Sequence, residues 1–539
     1  MTNSTRFKNK DWSSWLFLGI VLTYIRLYAP FGINETDGGF ISAYAYRLLQ
    51  GEQIYQDIIY VRPPMSIWLR ALEMWLLPDS FELLSERILF YLKVALYAWM
   101  GAAVFYQDYR RWLLASIGFI ICVHNYPAAS WHTVDGILFG TAAFFLLFRT
   151  ASPIVLPSLM VVMAMLCKQS FYPLLPLFLL MVGLYKGKRD LALATLSLSL
   201  MALAFYGYLN TTDLWSDYRF WTSGATGMGA AIQSGIWDYT KINPLLFALL
   251  PLLLPWLLDR KVLFAPKYYW YLFIAALMAS YVWSIYEQQS FQVPVSQSRL
   301  LFLIGLFYWL RQAYRMGIWL FSWADWKREG QSLLHLASLL GLSWMAALSW
   351  GYSFPILFAI PYVYVLFEIT EEVEWGTTRD WNWLWRFSLL FALLLIFRYA
   401  YEFVYRDGPR SAMKWPMEQV FPALKGIYSD EATYLLYSDL KGLQEHYGPR
   451  FKTLPAFPLS NYLTQTQSPL PLDWVIRPET NGPQPKLYQL VDKSDYYFFI
   501  EKSYGEQLLK NPKFELTKYV MDHLDRIEET PYFYVYQNK

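Results

Sequence analysis

Apolar runs broken by short polar or basic loops recur over the first 400 residues, among them Trp15–Tyr28, Leu191–Tyr206, Pro244–Leu258 and Phe387–Phe397. Several approach the ~20 residues that cover a hydrocarbon core, and others reach it once their aromatic flanks are counted. The pattern predicts spanning helices near 13–30, 86–105, 112–123, 135–149, 153–167, 171–185, 191–208, 243–258, 268–284, 298–312, 332–349, 354–368 and 383–400, about thirteen in all. Two amphipathic stretches near 38–50 and 65–77 read as helices lying on the outer membrane surface. After Arg398 the pattern changes. Residues 406–539 are polar, with short strand-like runs at Tyr434–Tyr437, Trp474–Arg477, Tyr496–Ile500 and Tyr532–Tyr536. Helical stretches (Leu440–Tyr447, Gly505–Asn511) lie between them, which predicts a small α/β domain.

Composition supports the membrane class. The 539 residues are 56% hydrophobic, 19% aromatic and only 16% charged, against about 25% charge in a soluble chain. A net charge of +3 with dispersed basic residues gives no footprint for nucleic acid. Cys122 and Cys167 form no metal-type spacing and no disulfide framework. The basic N-terminus runs into Trp15–Tyr28 without a small-residue cleavage site, so an uncleaved first span is expected.

Parity of the spans orients the chain. With a cytoplasmic N-terminus, Arg110-Arg111, Arg149, Lys186/Lys188/Arg189, Arg260-Lys261 and Arg311/Arg315/Lys327/Arg328 all fall inside, as the positive-inside bias requires. The Asn34–Pro64 loop, His124–Thr133, Cys167–Tyr172, Asn210–Asn243, Ile285–Gln297, Ser349–Pro355 and the C-terminal domain then lie outside. The expected division is a membrane domain over 1–405, with its first outer loop at 31–85, and an outer α/β domain over 406–539.

Candidate chemistry gathers at the outer ends of the spans. The Asn34–Pro64 stretch carries an acidic knot (Glu35, Asp37), two glycines, Asp57, Tyr60 and Arg62-Pro63-Pro64, and reads as an active-site loop. Asp37 sits in Thr-Asp-Gly-Gly directly after a span, where partial desolvation raises a carboxyl toward the general-base range; the bland alternative is a pair of solvated loop acids. Lys168-Gln169 closes a span on the side where lysine is disfavoured, as a phosphate contact or a snorkelling lysine. His124, His132 and Asp135 flank another outer loop, and their spacing is not that of a common zinc motif. They line a polar cavity on one reading; on the other they are a satisfied histidine and a helix cap. Arg299 breaks the charge rule and calls for a partner, either a lipid phosphate or Glu287. Trp350 and Tyr352 belong to an aromatic belt or to a sugar-stacking wall.

The combination of Asp37, then Gly51, Tyr55, Asp57, Tyr60, Arg62, Pro63 and Pro64 after a first span resembles the GT-C superfamily of integral-membrane glycosyltransferases, including the protein mannosyltransferase and lipid A aminoarabinose transferase branches. The resemblance implies an all-α polytopic bundle with juxtamembrane helices and a smaller outer domain. It implies an inverting, metal-independent transfer of a sugar from a polyprenyl-phosphate donor to a lipid, glycan or protein acceptor. On that reading Asp37 is the base, with Glu35 as its understudy. Arg62, Lys168 and Arg299 meet the donor phosphate, and Asp57, Tyr60, His124, His132, Asp135, Gln169, Glu287, Trp350 and Tyr352 line the cavity. No cofactor is implied, although an acidic pair is also able to hold a divalent metal. The expected partners are the lipid-linked donor, the acceptor and membrane lipids, in a bacterial inner membrane. The rival functions are a transporter or flippase of a lipid-linked saccharide, which calls for charges in mid-span and an internal repeat, and a non-catalytic membrane scaffold.

Overall fold

The computed structural model describes residues 12–33, 36, 39–124, 128–224, 250–257, 266–288, 295–318, 322–348, 355–374, 390–395, 397–398, 401–402, 404, 408–480, 485–505 and 507–538. Glu35, Asp37, Trp350 and Tyr352 lie outside them, as does the side chain of Glu287.

The first half is helical: α1 (Trp12–Tyr28), α2 (Phe40–Leu49), α3 (Met65–Leu76), α4 (Glu82–Phe105), α5 (Arg110–Val123), α6 (His132–Arg149), α7 (Val155–Cys167), α8 (Leu174–Lys186), α9 (Lys188–Thr211) and α10 (Trp215–Gly224). Further helices cover Pro266–Gln288, Val295–Met316, Gln331–Leu348 and Ile360–Glu374. Helices therefore stand where most of the apolar runs predict them. Among the described residues, three (α4, α9 and Gln331–Leu348) are both long and apolar enough to cross a membrane. By that criterion a count of thirteen spans is not reached.

Two patterns show the solvent this bundle is built for. Helix α9 leaves Leu193, Leu196, Leu200 and Leu203 exposed, an arrangement that is stable against lipid and costly against water. Helix α3 is apolar on both sides. It buries Ser66, Arg70 and Glu73 together with Ile67, Ala71 and Met74 while exposing Leu72, Trp75 and Leu76, so its charges face the protein and large apolar side chains face outward. Helix α2 differs from the surface position its pattern predicts. Phe40 to Ala45 and Arg47 are all buried, because the C-terminal segment covers its outer side: the helix Leu459–Leu463 packs on it, and Arg47 donates to the Leu470 carbonyl at 3.1 Å.

The C-terminal region carries a four-stranded sheet in the order β3 (Phe451–Leu454), β4 (Tyr497–Glu501), β6 (Phe533–Gln537), β5 (Asp525–Glu529), beside a two-residue pair β1 (Trp415–Pro416) and β2 (Tyr428–Ser429). β3 and β4 run parallel with Phe451 opposite Tyr497, while β6 is antiparallel to both neighbours. The strands expected near 496–500 and 532–536 are β4 and β6. The run 434–437 is instead part of a helix, Glu431–Tyr447. Asp430 caps it by accepting from the Thr433 amide at 2.8 Å, and Tyr437, Leu440 and Leu443 make its buried stripe. The run 474–477 is instead a bent connector that enters a short 3-10 helix at Arg477–Glu479, and its Val475 amide donates to the Pro455 carbonyl at 3.2 Å.

Candidate active site

The site assembles where the loop after α2, the α7–α8 turn and the C-terminal connector converge. The loop doubles back at Tyr55, which holds a positive φ of 77° and donates its hydroxyl to the Arg62 carbonyl at 2.7 Å. The backbone before the two prolines is therefore fixed by a side chain, in a φ range that non-glycine residues occupy only when their surroundings enforce it. Tyr44 and Tyr60, both fully buried, pack ring to ring at 5.7 Å beneath that loop.

Arg62 points to the C-terminal region. Its guanidinium donates through both Nη atoms to the Glu479 carboxylate, at 2.5 and 2.6 Å. It also lies 5.5 Å from the centre of the Phe40 ring. Burial works against its charge and Glu479 more than offsets that, so Arg62 stays ionised. Lys168 follows α7 directly, and its neighbour Gln169 donates to the carbonyls of Val61 at 2.7 Å and Thr222 at 3.3 Å. Gln169 thus ties the lysine's turn to the Arg62 loop. The Lys168 ammonium is held well below the usual lysine pKa, first by burial and then by the Arg62 guanidinium, with Glu479 acting the other way. No described residue forms an ion pair with it. Glu479 is thus taken up by Arg62, and Lys168 lies within electrostatic reach of both, so among the described residues this mostly dry setting holds two cations and one paired carboxylate, an arrangement suited to an anion.

The other sequence candidates separate into different neighbourhoods. His132 packs against Trp131 and Phe40 (5.2 and 5.3 Å between ring centres), close to Arg62's own ring contact. His124 lies elsewhere, its Nε2 2.9 Å from the Tyr24 hydroxyl. Asp135 is the fourth residue of α6 and is not its cap; its Oδ1 accepts from Lys93 at 2.8 Å. Asp57 is exposed and closes its own turn by accepting from the Gln53 amide at 2.8 Å. Arg299 is buried near the start of Val295–Met316. Among the described residues no cluster of histidine, cysteine and acidic groups is arranged to hold a metal.

Several charged residues were missed by the reading of the sequence. Beneath α2, Arg70 donates its Nε to Ser42 Oγ at 2.9 Å and lies 3.4 to 3.7 Å from Glu73, Glu82 and Glu86. Lys93 bridges Glu73 and Asp135, each at 2.8 Å, so this network sets four carboxylates against two cations. A lysine in the middle of an apolar run was the available signal. A second network ties α2 to the C-terminal region: Asp473 accepts from Lys452 at 2.7 Å and from Arg47 at 3.2 Å. Asp473 and Glu479 carried no signal in sequence, because each is an isolated acid in a polar segment.

No family model and no curated protein matches the chain. Among solved structures it is similar to archaeal oligosaccharyltransferase AglB from Archaeoglobus fulgidus in complex with an inhibitory peptide and a dolichol-phosphate, at 12% identity and a TM-score of 0.44, over 99% of this chain and 75% of that one. The apo form of the Archaeoglobus fulgidus oligosaccharyltransferase matches with the same values. Its complex with zinc and sulfate matches at 11% identity and a TM-score of 0.42, over 97% and 73%.

Proposed function

We propose that this protein is a GT-C-type glycosyltransferase that moves a sugar from a polyprenyl-phosphate donor to an acceptor hydroxyl on the outer face of a membrane. The observation that carries the reading is the neighbourhood of two buried cations 106 positions apart in sequence: Gln169, next to Lys168, donates to the carbonyl of Val61, next to Arg62, while Arg62 itself is held by the buried Glu479. Such a pair suits a phosphate leaving group, whose charge grows as the glycosidic bond breaks. In the transfer, the acceptor oxygen forms a bond to the anomeric carbon and gives its proton to Asp37. The bond from that carbon to the phosphate oxygen breaks, and polyprenyl phosphate departs with both electrons. Glu35 is the alternative base, or joins Asp37 on a metal. Attack on the side opposite the phosphate inverts the anomeric centre.

Transport of a lipid-linked saccharide is the second reading, and Lys93 favours it, since that charge stands part-buried 11 residues into α4. The test is transfer of labelled sugar from a panel of polyprenyl-phosphate donors by membranes holding wild type, Asp37→Asn or Glu35→Gln at equal expression. Loss of turnover in Asp37→Asn alone, with donor still bound, supports the transferase and names its base. Equal loss in both points to the acids acting as a pair. Donor movement across the bilayer without turnover, retained in both variants, sinks the transferase reading in favour of transport.

A further inference from the structure

A second cationic position, remote from Arg62 and Lys168, has no use in that reaction. Arg410 is 8% exposed and its Nε donates to the Tyr401 carbonyl. Its two terminal nitrogens, Nη1 and Nη2, are buried and have no hydrogen-bond acceptor among the described residues. Three rings enclose the guanidinium: Tyr401 at 4.2 Å, Phe31 at 4.3 Å and Tyr28 at 5.1 Å from their centres. Glu402, the acid whose charge acts on it, is already paired with Arg398 at 2.9 Å. Arg87 adds a second positive charge at this end of α1, donating to the carbonyls of Ala29 and Gly32 at 2.9 and 2.7 Å. Aromatic faces hold a guanidinium in place without neutralising it. Among the described residues no carboxylate pairs with this guanidinium, and a buried charge so placed is costly and calls for an anion.

An independent feature leads to the same place. A groove of about 1020 Å³ runs between α1, α5, the helix Ile360–Glu374 and residues 390–397, lined by apolar side chains such as Ile20, Leu113, Ile120 and Leu394. One end is closed by the Arg110–Glu371 pair at 3.1 Å. At the other end stand Tyr24 and Phe397. Their rings lie 5.7 Å apart, and Phe397 is in turn 5.9 Å from Tyr28 and 6.3 Å from Tyr401. Those last two rings are the ones that cover Arg410. Between Trp15 and Tyr24 the groove follows α1 for roughly 14 Å at 1.5 Å per residue, long enough for much of an acyl chain.

We infer that the groove and Arg410 form one binding site for an anionic, phosphate-headed lipid. Its chain lies between α1, α5, Ile360–Glu374 and residues 390–397, and its phosphate meets the Arg410 guanidinium. Neither half selects this ligand alone: a neutral lipid leaves Arg410 unpaired, and a free anion leaves the groove unfilled. The site requires only that the chain resides in a membrane, and it stands or falls separately from the transferase reading.

The test is titration of the purified, delipidated full chain with dioleoylphosphatidic acid, followed by native mass spectrometry. Dioleoylglycerol serves as the chain without the charge, and inorganic phosphate as the charge without the chain. Two variants divide the site. Arg410→Gln removes the charge. Gly19→Phe fills the groove, since Gly19 lines it and a Cβ there meets nothing within 4 Å. Phosphatidic acid is expected to bind wild type at least about tenfold more tightly than either partial ligand, the worth of one charge-assisted contact. Each variant should lose a factor of that size, while Arg526→Gln, on the exposed strand β5, keeps wild-type binding. Arg410→Gln should also abolish the rise in melting temperature that phosphatidic acid gives, with little change in the lipid-free value. Unchanged binding in both variants overturns the proposal, as does an equal loss in Arg526→Gln. Equal affinity for dioleoylglycerol or for inorganic phosphate overturns it too. If Arg410→Gln fails to fold, Gly19→Phe decides, because its ring enters open space.

Discussion

Replacing Asp473 by Asn is expected to destabilise the protein by about 3 kcal/mol. Asp473 is 1% exposed and Lys452 fully buried, with Nζ and Oδ1 2.7 Å apart. At that separation the attraction is about 6 kcal/mol for an effective dielectric constant of ~20, and the cost of drying both ions offsets much of it. Removing one partner keeps the drying cost of the other, which places the loss at about 3–5 kcal/mol. Lys452 retains Ser468 Oγ at 3.0 Å and Asn461 Oδ1 at 3.3 Å. Arg47 retains Glu52, whose Oε2 is 2.5 Å from Nη2. With the new amide also accepting a hydrogen bond, the lower end of the range applies. Followed by thermal unfolding in detergent, that loss is a fall of roughly 10 °C for a unit of this size. Adding Lys452→Met should recover most of it, because the stranded charge goes with it.

The pH dependence has a defined sign. Burial pushes the Asp473 carboxyl up, and Lys452 with Arg47 more than reverses that, so its folded pKa lies below the ordinary carboxylate value. Its contribution is present above about pH 4 and is lost as pH falls. Burial holds the Lys452 ammonium below its free value despite Asp473. Folding therefore disfavours that proton, and stability rises as pH climbs toward about 10.4. Without Asp473 the lysine's pKa falls further, so the deficit of Asp473→Asn should narrow between pH 7 and pH 10. A fall in melting temperature under about 3 °C, or a deficit that stays constant over that range, would refute the reasoning.

Lys168→Met should cut sugar transfer by about tenfold or more and raise KM for the lipid donor. Lys168 titrates below a free lysine and only its ammonium neutralises phosphate, so wild-type turnover should fall as pH rises toward 9, and Lys168→Arg should remove that limb. Gly136→Ala places a Cβ 2.2 Å from the ring of Phe171, in the turn that carries Lys168 and Gln169. Thermal unfolding should show a loss of about 1–3 kcal/mol from overpacking, accompanied by weaker donor binding; unchanged binding would mean that Phe171 turns away without moving Lys168.

What was legible in the sequence is what a single segment can specify. Apolar runs of helical length announced α1, α4, α6 and α9, because a chain in lipid must close its backbone hydrogen bonds within itself. The Tyr55–Pro64 pattern announced a structured loop, since a Pro-Pro pair after charged and aromatic residues restricts the chain to few paths. The burial of α2 was not legible, because its cover comes from more than 400 residues away. Nor were the roles of Asp473 and Glu479, whose partners lie 426 and 417 residues back. The run 434–437 misled because Tyr and Leu suit a half-buried strand as well as a helix; the cap at Asp430 decides between them.

These long-range pairs tie the C-terminal region to the segment around Arg62. Arg47 and Arg62 belong to the segment that follows Asp37, and each finds a buried carboxylate on the C-terminal connector. Tyr462 adds a third link by donating to Glu82 at the start of α4. Arg47, in α2, also holds Glu52 from its own segment, whereas the described carboxylate that pairs with Arg62 comes from the C-terminal region, so burial of Arg62 is unfavourable until Glu479 arrives. Docking of the C-terminal region is therefore expected to set the geometry around Arg62 and Lys168. A chain cut after the last span should keep its helices and lose donor binding. Supplying residues 406–539 as a separate polypeptide should restore binding only when Asp473 and Glu479 are both present. Restoration by a fragment lacking both acids would mean that this region acts as a lid and leaves the loop's charges to arrange themselves.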